Sequence, residues 1–527
     1  MMKKTAAFIL LILVTKLTSC ARVGSPDGGP KDSIPPVMAF AKPMNKTTSF
    51  KEKKITILFD EYIRFEKLTT QLIISPPMEK KPQIRPTTEV SKKITIEFLE
   101  ELMPNTTYTI NFGNSIVDNN EGNELGRFSY VFSTGPELDS LSVAGNIFDP
   151  LDEKELESIS VMAYKNANDT LVGHYTPNYL TNTLKAIDYS LENLAEATYK
   201  VIALEDLNSN YKYDKGLERI GFLNESIDLK KPIDSIDFTI FLEDKDPKIF
   251  RPTQTKGNQI IFGFNGKKEP LLTVEGLNKN DYYISKEADK DSLYFWFKEI
   301  PADTLRLTLE LDTLKQEFAL KPRTLEKDSI KISSKINSTL HPRDTLTLYT
   351  NIPVDYINND SIVMLEKDSI PIPFNIISDK RNHRLMVNFE RQIKTNYSLI
   401  LKEHAFTDFL NFNSHAKKIS FNTLDPEEYG EIILAISNPN NINLIVELIE
   451  TTKKEKITKI IKGSDKIHFK DLVANKYQIR IIKDENNNNI YDNGDFEKRR
   501  QPEKVINFNK IITLRANSEI NENITVE

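Results

Sequence analysis

From residue 36 onward, apolar and polar positions alternate in short runs. KITILF at residues 54–59, KITIEF at 93–98, YTINF at 108–112 and RFSYVF at 127–132 show the pattern. Turn residues separate the runs, and the 3.6-residue periodicity of helices is scarce. Period-two patterning with frequent turns predicts antiparallel strands that bury one face, stacked as β-sandwiches. At 527 residues the chain is too long for a single core, so four to six domains are expected.

The pattern also repeats. NTTYTINF at 105–112 matches KTNYSLIL at 394–401, placing Tyr397 289 residues after Tyr108, and Phe421 lies at the same spacing from Phe132. ENLAEATYKVIALEDLNSN, from Glu192, matches KDLVANKYQIRIIKDENNN, from Lys470, with Tyr477 278 residues after Tyr199 and Asp484 at the same spacing from Asp206. Two constant spacings mean two domain types, each present twice in the same order, A–B–spacer–A′–B′. The expected units are A at 37–136, B at 137–245, a β-rich spacer at 246–339, A′ at 340–425 and B′ at 426–527, in an elongated all-β array.

Unit A resembles the bacterial Ig-like domain of surface-layer proteins. The resemblance rests on PPVMAFAKPMNKTTSFKEKKITILFDEYI at its start and LMPNTTYTINFGNSIVDNNEGN with FSYVFSTG at its end. A′ keeps the strand pattern but lacks DNNEGN. Unit B, with its opening VAGNIFD and its YKVIALEDLN segment, resembles the transthyretin-like or carboxypeptidase-regulatory-like sandwich, and B′ repeats it.

The amino-terminal residues read differently. Lys3 and Lys4 precede an apolar stretch at 5–14 (TAAFILLILV), long enough for a signal-peptide core but too short to span a bilayer. Leu17-Thr18-Ser19-Cys20 follows and resembles the lipobox of bacterial lipoproteins, although Lys16 stands where a neutral residue is more usual. The resemblance implies removal of residues 1–19 and a diacylglycerol and palmitate-type acyl anchor on Cys20. Gly and Pro then make 20–36 a tether, whose sixteen residues after Cys20 reach at most about 50 Å. Ala21, by resemblance to enterobacterial sorting, implies the outer membrane. GGPKDSIPP resembles the opening of outer-membrane lipoproteins of Bacteroidota. The periplasmic and cell-surface faces both stay open.

Charge and cysteine content narrow the field. Lys and Arg total 70 against 76 Asp and Glu, a net charge of −6, so no nucleic-acid partner is expected. Cys20 is the single cysteine, which rules out an intramolecular disulfide.

One pattern carries candidate chemistry. Each B unit has an Asp/Asn loop directly after a hydrophobic strand. Asp484, Asn486, Asn488 and Asp492 place oxygens at positions 1, 3, 5 and 9, with the Ile490 carbonyl at 7 and Asp495 at 12. Asp206, Asn208, Asn210 and Asp214, with the Lys212 carbonyl, repeat the spacing, and Glu218 falls one residue past position 12. Such a set suits a structural Ca2+. The second loop is the better candidate, since Asn489 accepts left-handed geometry at position 6 more readily than Tyr211. The competing reading is a metal-free turn, which Asn and Asp make readily. Residues 118–123 (DNNEGN) are expected to be a turn.

Catalytic signatures are absent. His174, His341, His383, His404, His415 and His468 form no HxxxH or HxH pair, and GxSxG, P-loop and GxGxxG sequences are missing. Trp296 reads as a core strand aromatic, with a sugar-stacking or partner contact as the competing reading. The expected function is that of a lipid-anchored, non-catalytic envelope protein with protein partners. It would act as a structural or interaction module, with an accessory subunit of an outer-membrane assembly or transport machine as one version. The alternative is a carbohydrate-binding or polysaccharide-processing surface lipoprotein.

Overall fold

A computed structural model describes residues 32–151, 158–166, 168, 172–183, 187–287, 290–300, 304–336 and 338–526. The signal segment and Cys20 lie outside the described residues. The chain is built almost entirely of β-strands, arranged in sheets that pair face to face over separate hydrophobic cores. Among the described residues, no helix is long and apolar enough to cross a membrane.

In unit A, strand Lys54–Phe65 lies between Met38–Lys42 and Ser91–Glu97. Its alternation sends Ile55, Ile57 and Phe59 inward against Tyr108, Ile110 and Phe132 of the facing sheet. Unit A′ repeats this arrangement, with Tyr397, Leu399 and Phe421 in the corresponding core.

The repeated tyrosines explain why the matches extend so far. Tyr108 stacks on Phe132 with ring centroids 5.3 Å apart, and its hydroxyl accepts the Met103 N–H at 2.9 Å. Tyr397 stacks on Phe421 at 5.6 Å and accepts the Gln392 N–H at 2.7 Å. Each ring fills the core while its buried oxygen pins the loop five residues upstream. In the B units the direction reverses. Tyr199 donates to the Ala195 carbonyl at 2.8 Å, and Tyr477 donates to the Val473 carbonyl at 2.7 Å.

B and B′ also share a topology. In each, the first strand pairs antiparallel with one neighbour and parallel with a strand near the unit's end. In B, Leu141–Phe148 pairs with Asp188–Leu194 and Phe238–Thr239; in B′, Tyr429–Ser437 pairs with Asp465–Val473 and Glu519–Thr525. The stretch between B and A′ forms a further pair of sheets, with Phe262, Phe295, Leu307 and Leu309 between them.

The sandwiches follow one another along the chain, and the last returns to the second. Strand Ile73–Ser75 of A lies against Tyr179–Asn182 of B, where Ser75 Oγ accepts the Leu180 N–H at 3.0 Å. The spacer meets A′ through Tyr294, Trp296, Ile352, Phe409 and Leu410. A′ meets B′ where His341 Nε2 donates to the Asp471 carbonyl at 2.6 Å and its ring sits edge-on to Tyr429. B′ then contacts B. Arg480 donates to the Leu151 carbonyl at 2.9 Å and Asn507 to the Pro150 carbonyl at 2.8 Å. B, spacer, A′ and B′ therefore form a closed circuit, and A is attached to it through B.

Candidate functional site

Both Asp/Asn loops leave the end of a central strand, Ala197–Leu204 in B and Lys476–Asp484 in B′. Their backbones match. Positions 4 and 6 are left-handed in each, at Ser209 (φ 58°) and Tyr211 (φ 59°) and at Asn487 (φ 59°) and Asn489 (φ 64°). Tyr211 thus adopts the geometry it was expected to resist, because position 1 fixes it. Asp206 accepts N–H groups from Asn210 at 3.1 Å and Tyr211 at 3.0 Å, and Asp484 accepts them from Asn488 at 3.1 Å and Asn489 at 2.8 Å. Asn443 also donates to Asp484 from the neighbouring strand. Loop interiors are closed by amides. Asn208 donates to Asp214 at 2.8 Å, and Asn486 and Asn488 both donate to Asp492. Lys212 and Ile490 donate their N–H groups to Asn210 and Asn488.

In the second loop the acid that closes the turn differs from the one the spacing indicates. Asp495 faces away and is held by the Lys498 N–H at 2.9 Å and the Lys498 ammonium at 2.8 Å. In its place stands Glu503. Its carboxylate accepts the N–H groups of Glu485 and Asp492, both at 3.0 Å, which ties position 2 to position 9. Glu218 does the same in the first loop, accepting from Leu207 and Asp214 at 3.0 Å each. The two glutamates are equivalent, yet they stand 285 residues apart where Asp206 and Asp484 stand 278 apart. Loop two therefore carries seven extra residues between its ninth position and its closing glutamate. A search confined to fixed spacing cannot find Glu503; the strand-like residues 504–507 that follow it were the available signal.

Electrostatically both sites are crowded with negative charge. Burial pushes the Glu218 carboxyl up, and Asp206 and Asp214 add to the shift against the two N–H donors. Glu503 is raised in the same way by burial, then by Asp484 and Asp492. At Asp492 burial acts upward, but the Asn486 and Asn488 amides and Lys267 together hold the carboxyl below its usual range. Lys267 comes from the spacer, lying 2.9 Å from Asp244 of B and 3.6 Å from Asp492 of B′. As a test of fit for a cation, the donors are all oxygen, which suits Ca2+. Among the described residues, however, no three His, Cys, Asp or Glu side chains converge to metal-binding distance, and the amides already hold the loop closed.

The seven extra residues dock B′ on B. Phe496 is 4% exposed and packs edge-on against Tyr213 at 5.6 Å and Phe222 at 5.4 Å. Its N–H donates to Glu243 Oε1 at 2.7 Å, and the other oxygen of Glu243 takes the Tyr213 hydroxyl. Arg499 lies over both phenylalanines, and Gln501 donates to the Phe222 carbonyl at 2.9 Å. Gly494 permits the approach, since a Cβ there would come within 2.3 Å of the Phe241 ring. Of this segment the sequence pattern singled out only Asp495, as a candidate metal ligand, and gave no sign of the docking role of Phe496.

Two further expectations changed. Unit A′ lacks DNNEGN, yet Asp408 builds a similar turn, accepting N–H groups from Leu410 and Phe412 at 2.9 Å. Asp118 caps the turn in A through the N–H groups of residues 120–123. The A turn is polar, whereas the A′ turn presents Phe409, Leu410 and Phe412 to the spacer. Trp296 lies at that junction, outside the spacer's own core, and donates to Ser285 Oγ at 2.7 Å. His383 of A′ contacts the same oxygen through Nε2 at 2.7 Å, and burial lowers its pKa to about 4. Ser285 and His383 are 1% and 2% exposed, so the pair works as a structural connection with no access for substrate.

Residues 32–134 match the bacterial Ig-like domain family. No curated protein matches the chain. Among solved structures, the chain is similar to BcpA, the major pilin subunit of Bacillus cereus, at 8% identity over 74% of this chain and 99% of that chain, with a TM-score of 0.15. It is also similar to domains 1–6 of the surface layer protein SbsC, at 10% identity over 92% of this chain and 68% of that chain, with a TM-score of 0.14. A third similarity is to titin domains A168–A170, at 12% identity over 46% of this chain and 92% of that chain, with a TM-score of 0.14. The family match places an Ig-like unit at the start of a chain of β-sandwiches.

Proposed function

We propose that this protein is a non-catalytic lipoprotein of the bacterial outer membrane, anchored through an acylated Cys20, that holds a multi-sandwich body close to the membrane as a platform for envelope protein partners. The observation that carries the reading is the closed circuit of B, spacer, A′ and B′. Its junctions are made by buried aromatic rings and paired polar groups, an arrangement suited to a rigid support. A buried Ser–His contact without access and the absence of catalytic signatures support a non-enzymatic role. The resemblance of GGPKDSIPP to the opening of Bacteroidota outer-membrane lipoproteins supports a lipoprotein of that type, and the resemblance carried by VAGNIFD and YKVIALEDLN supports a transthyretin-like assignment for B, which the shared topology extends to B′.

Calcium belongs to the same proposal as a structural ion. It would be held by Asp484, Asn486, Asn488, Asp492 and Glu503, and at the first loop by Asp206, Asn208, Asn210, Asp214 and Glu218. Excess negative charge at both loops supports this assignment. The anchor is tested by expressing Cys20→Ala in the native host. The variant is expected to leave the membrane fraction and to lose labelling by a palmitate analogue. A Cys20→Ala protein that stays in the membrane, or that still labels, removes the anchor from the reading.

A further inference from the structure

Unit A contains a cavity of about 240 Å³ that opens to solvent beside the short helix Leu68–Gln71. Leu68, Leu72, Met78 and Ile84 line it, with Tyr211 of the first Asp/Asn loop as a wall supplied by unit B. Ile84 belongs to the core of A, so the cavity continues that core outward. An aliphatic cavity open to water is unfavourable when empty, and its walls offer little to the hydroxyls of a sugar or the edges of a base. At its mouth stands Lys81, exposed and without a carboxylate partner among the described residues. Hydrocarbon walls and one ammonium at the entrance together specify an amphiphile with a saturated tail and a single anionic head.

We infer that this cavity binds a medium-chain fatty carboxylate, or the matching end of an anionic lipid, with the tail between the helix and Ile84 and the head on Lys81. Counting each methylene at about the 30 Å³ share of a water, the cavity takes roughly eight carbons. A filled cavity would press on Tyr211 and brace A against B. The inference is independent of the anchor, because the lipid on Cys20 is covalent and this ligand is not.

The test uses the mature chain carrying Cys20→Ala, which is free of its own lipid. It is titrated calorimetrically with decanoate, decanol and decyltrimethylammonium, each below its micellar concentration. Decanoate is expected to bind at one site, at least fivefold tighter than decanol, and the ammonium compound is expected not to bind. Lys81→Glu should weaken decanoate at least fivefold and leave decanol unchanged. Leu68→Trp, which fills the cavity from its rim, should weaken both at least tenfold; Lys81→Glu, on an exposed side chain, keeps the test valid if the tryptophan variant misfolds. Absence of saturable decanoate binding, or binding unaffected by either substitution, overturns the inference. So does a photo-crosslinker at position 68 that captures a protein from native envelopes while decanoate is ignored, since the cavity would then accept a protein side chain. Phosphatidylglycerol vesicles replacing decanoate distinguish a membrane lipid from a free fatty acid.

Discussion

Removing the Phe496 ring should open the circuit at the junction of B and B′. The ring is almost fully buried between Tyr213, Phe222 and the Arg499 guanidinium, so Phe496→Ala removes about the 3–5 kcal/mol typical of a buried phenylalanine. The ring lies outside the B′ core, so B′ itself should remain folded and the loss should fall on docking. At 1.4 kcal/mol per tenfold, even the lower figure reduces the ratio of closed to open molecules more than a hundredfold. Gly494→Ala reaches the same end by another route, because its new methyl would meet the Phe241 ring at 2.3 Å and Phe241 is itself buried. Small-angle X-ray scattering should show a larger radius of gyration for both variants. Calorimetry should show B′ melting separately from B. An unchanged radius together with a single unchanged transition for Phe496→Ala would refute the argument that this ring closes the circuit.

Other outcomes follow from the loops and the spacer junction. Glu503→Ala leaves two backbone N–H groups without their acceptor and should destabilise B′ by about 1–3 kcal/mol in urea titrations, with Glu218→Ala doing the same in B. Because Glu218 and Glu503 are raised above 4.5, their contribution is complete below that pH and is lost as pH rises through their folded values; the double Gln variant should flatten this part of the melting profile, and a profile parallel to wild type counts against the assigned shifts. Chelator should lower the melting temperature of wild type, lower that of Asp492→Ala by less, and leave the Asp214→Ala/Asp492→Ala double variant unmoved; a chelator-insensitive wild type would dismiss calcium. Ser285→Ala orphans the Trp296 N–H and His383 Nε2 and should cost about 2 kcal/mol or more; a neutral result would mean that the junction is hydrated.

The architecture was largely legible because alternation and repetition are local signals. A run such as residues 54–59 states its buried face in its own sequence, and Tyr108 and Tyr397 mark their units because one ring must meet both a core and an upstream loop. The loops were legible up to their ninth position for the same reason. Glu503 was hidden because its role is set by where strand Val505–Asn507 pairs, which no spacing rule contains. Phe496 and Trp296 were misjudged or missed for a related cause. A buried aromatic reads the same whether it fills its own sandwich or a neighbour's, and only the relative placement of two units separates the cases.

The junction of B and B′ has a consequence for biogenesis. Asn507 and Pro150 are 357 positions apart, and Phe496 fills a hollow formed by residues more than 250 positions earlier. A chain that emerges from its amino terminus would therefore present Phe222 and Phe241 to solvent until Phe496 had followed. Throughout that interval unit B would carry an uncovered apolar face, open to chaperones and to mispairing with a second copy. Truncation shortly before residue 496 would make this state permanent, so the integrity of unit B′ would govern whether the molecule remains dispersed or aggregates.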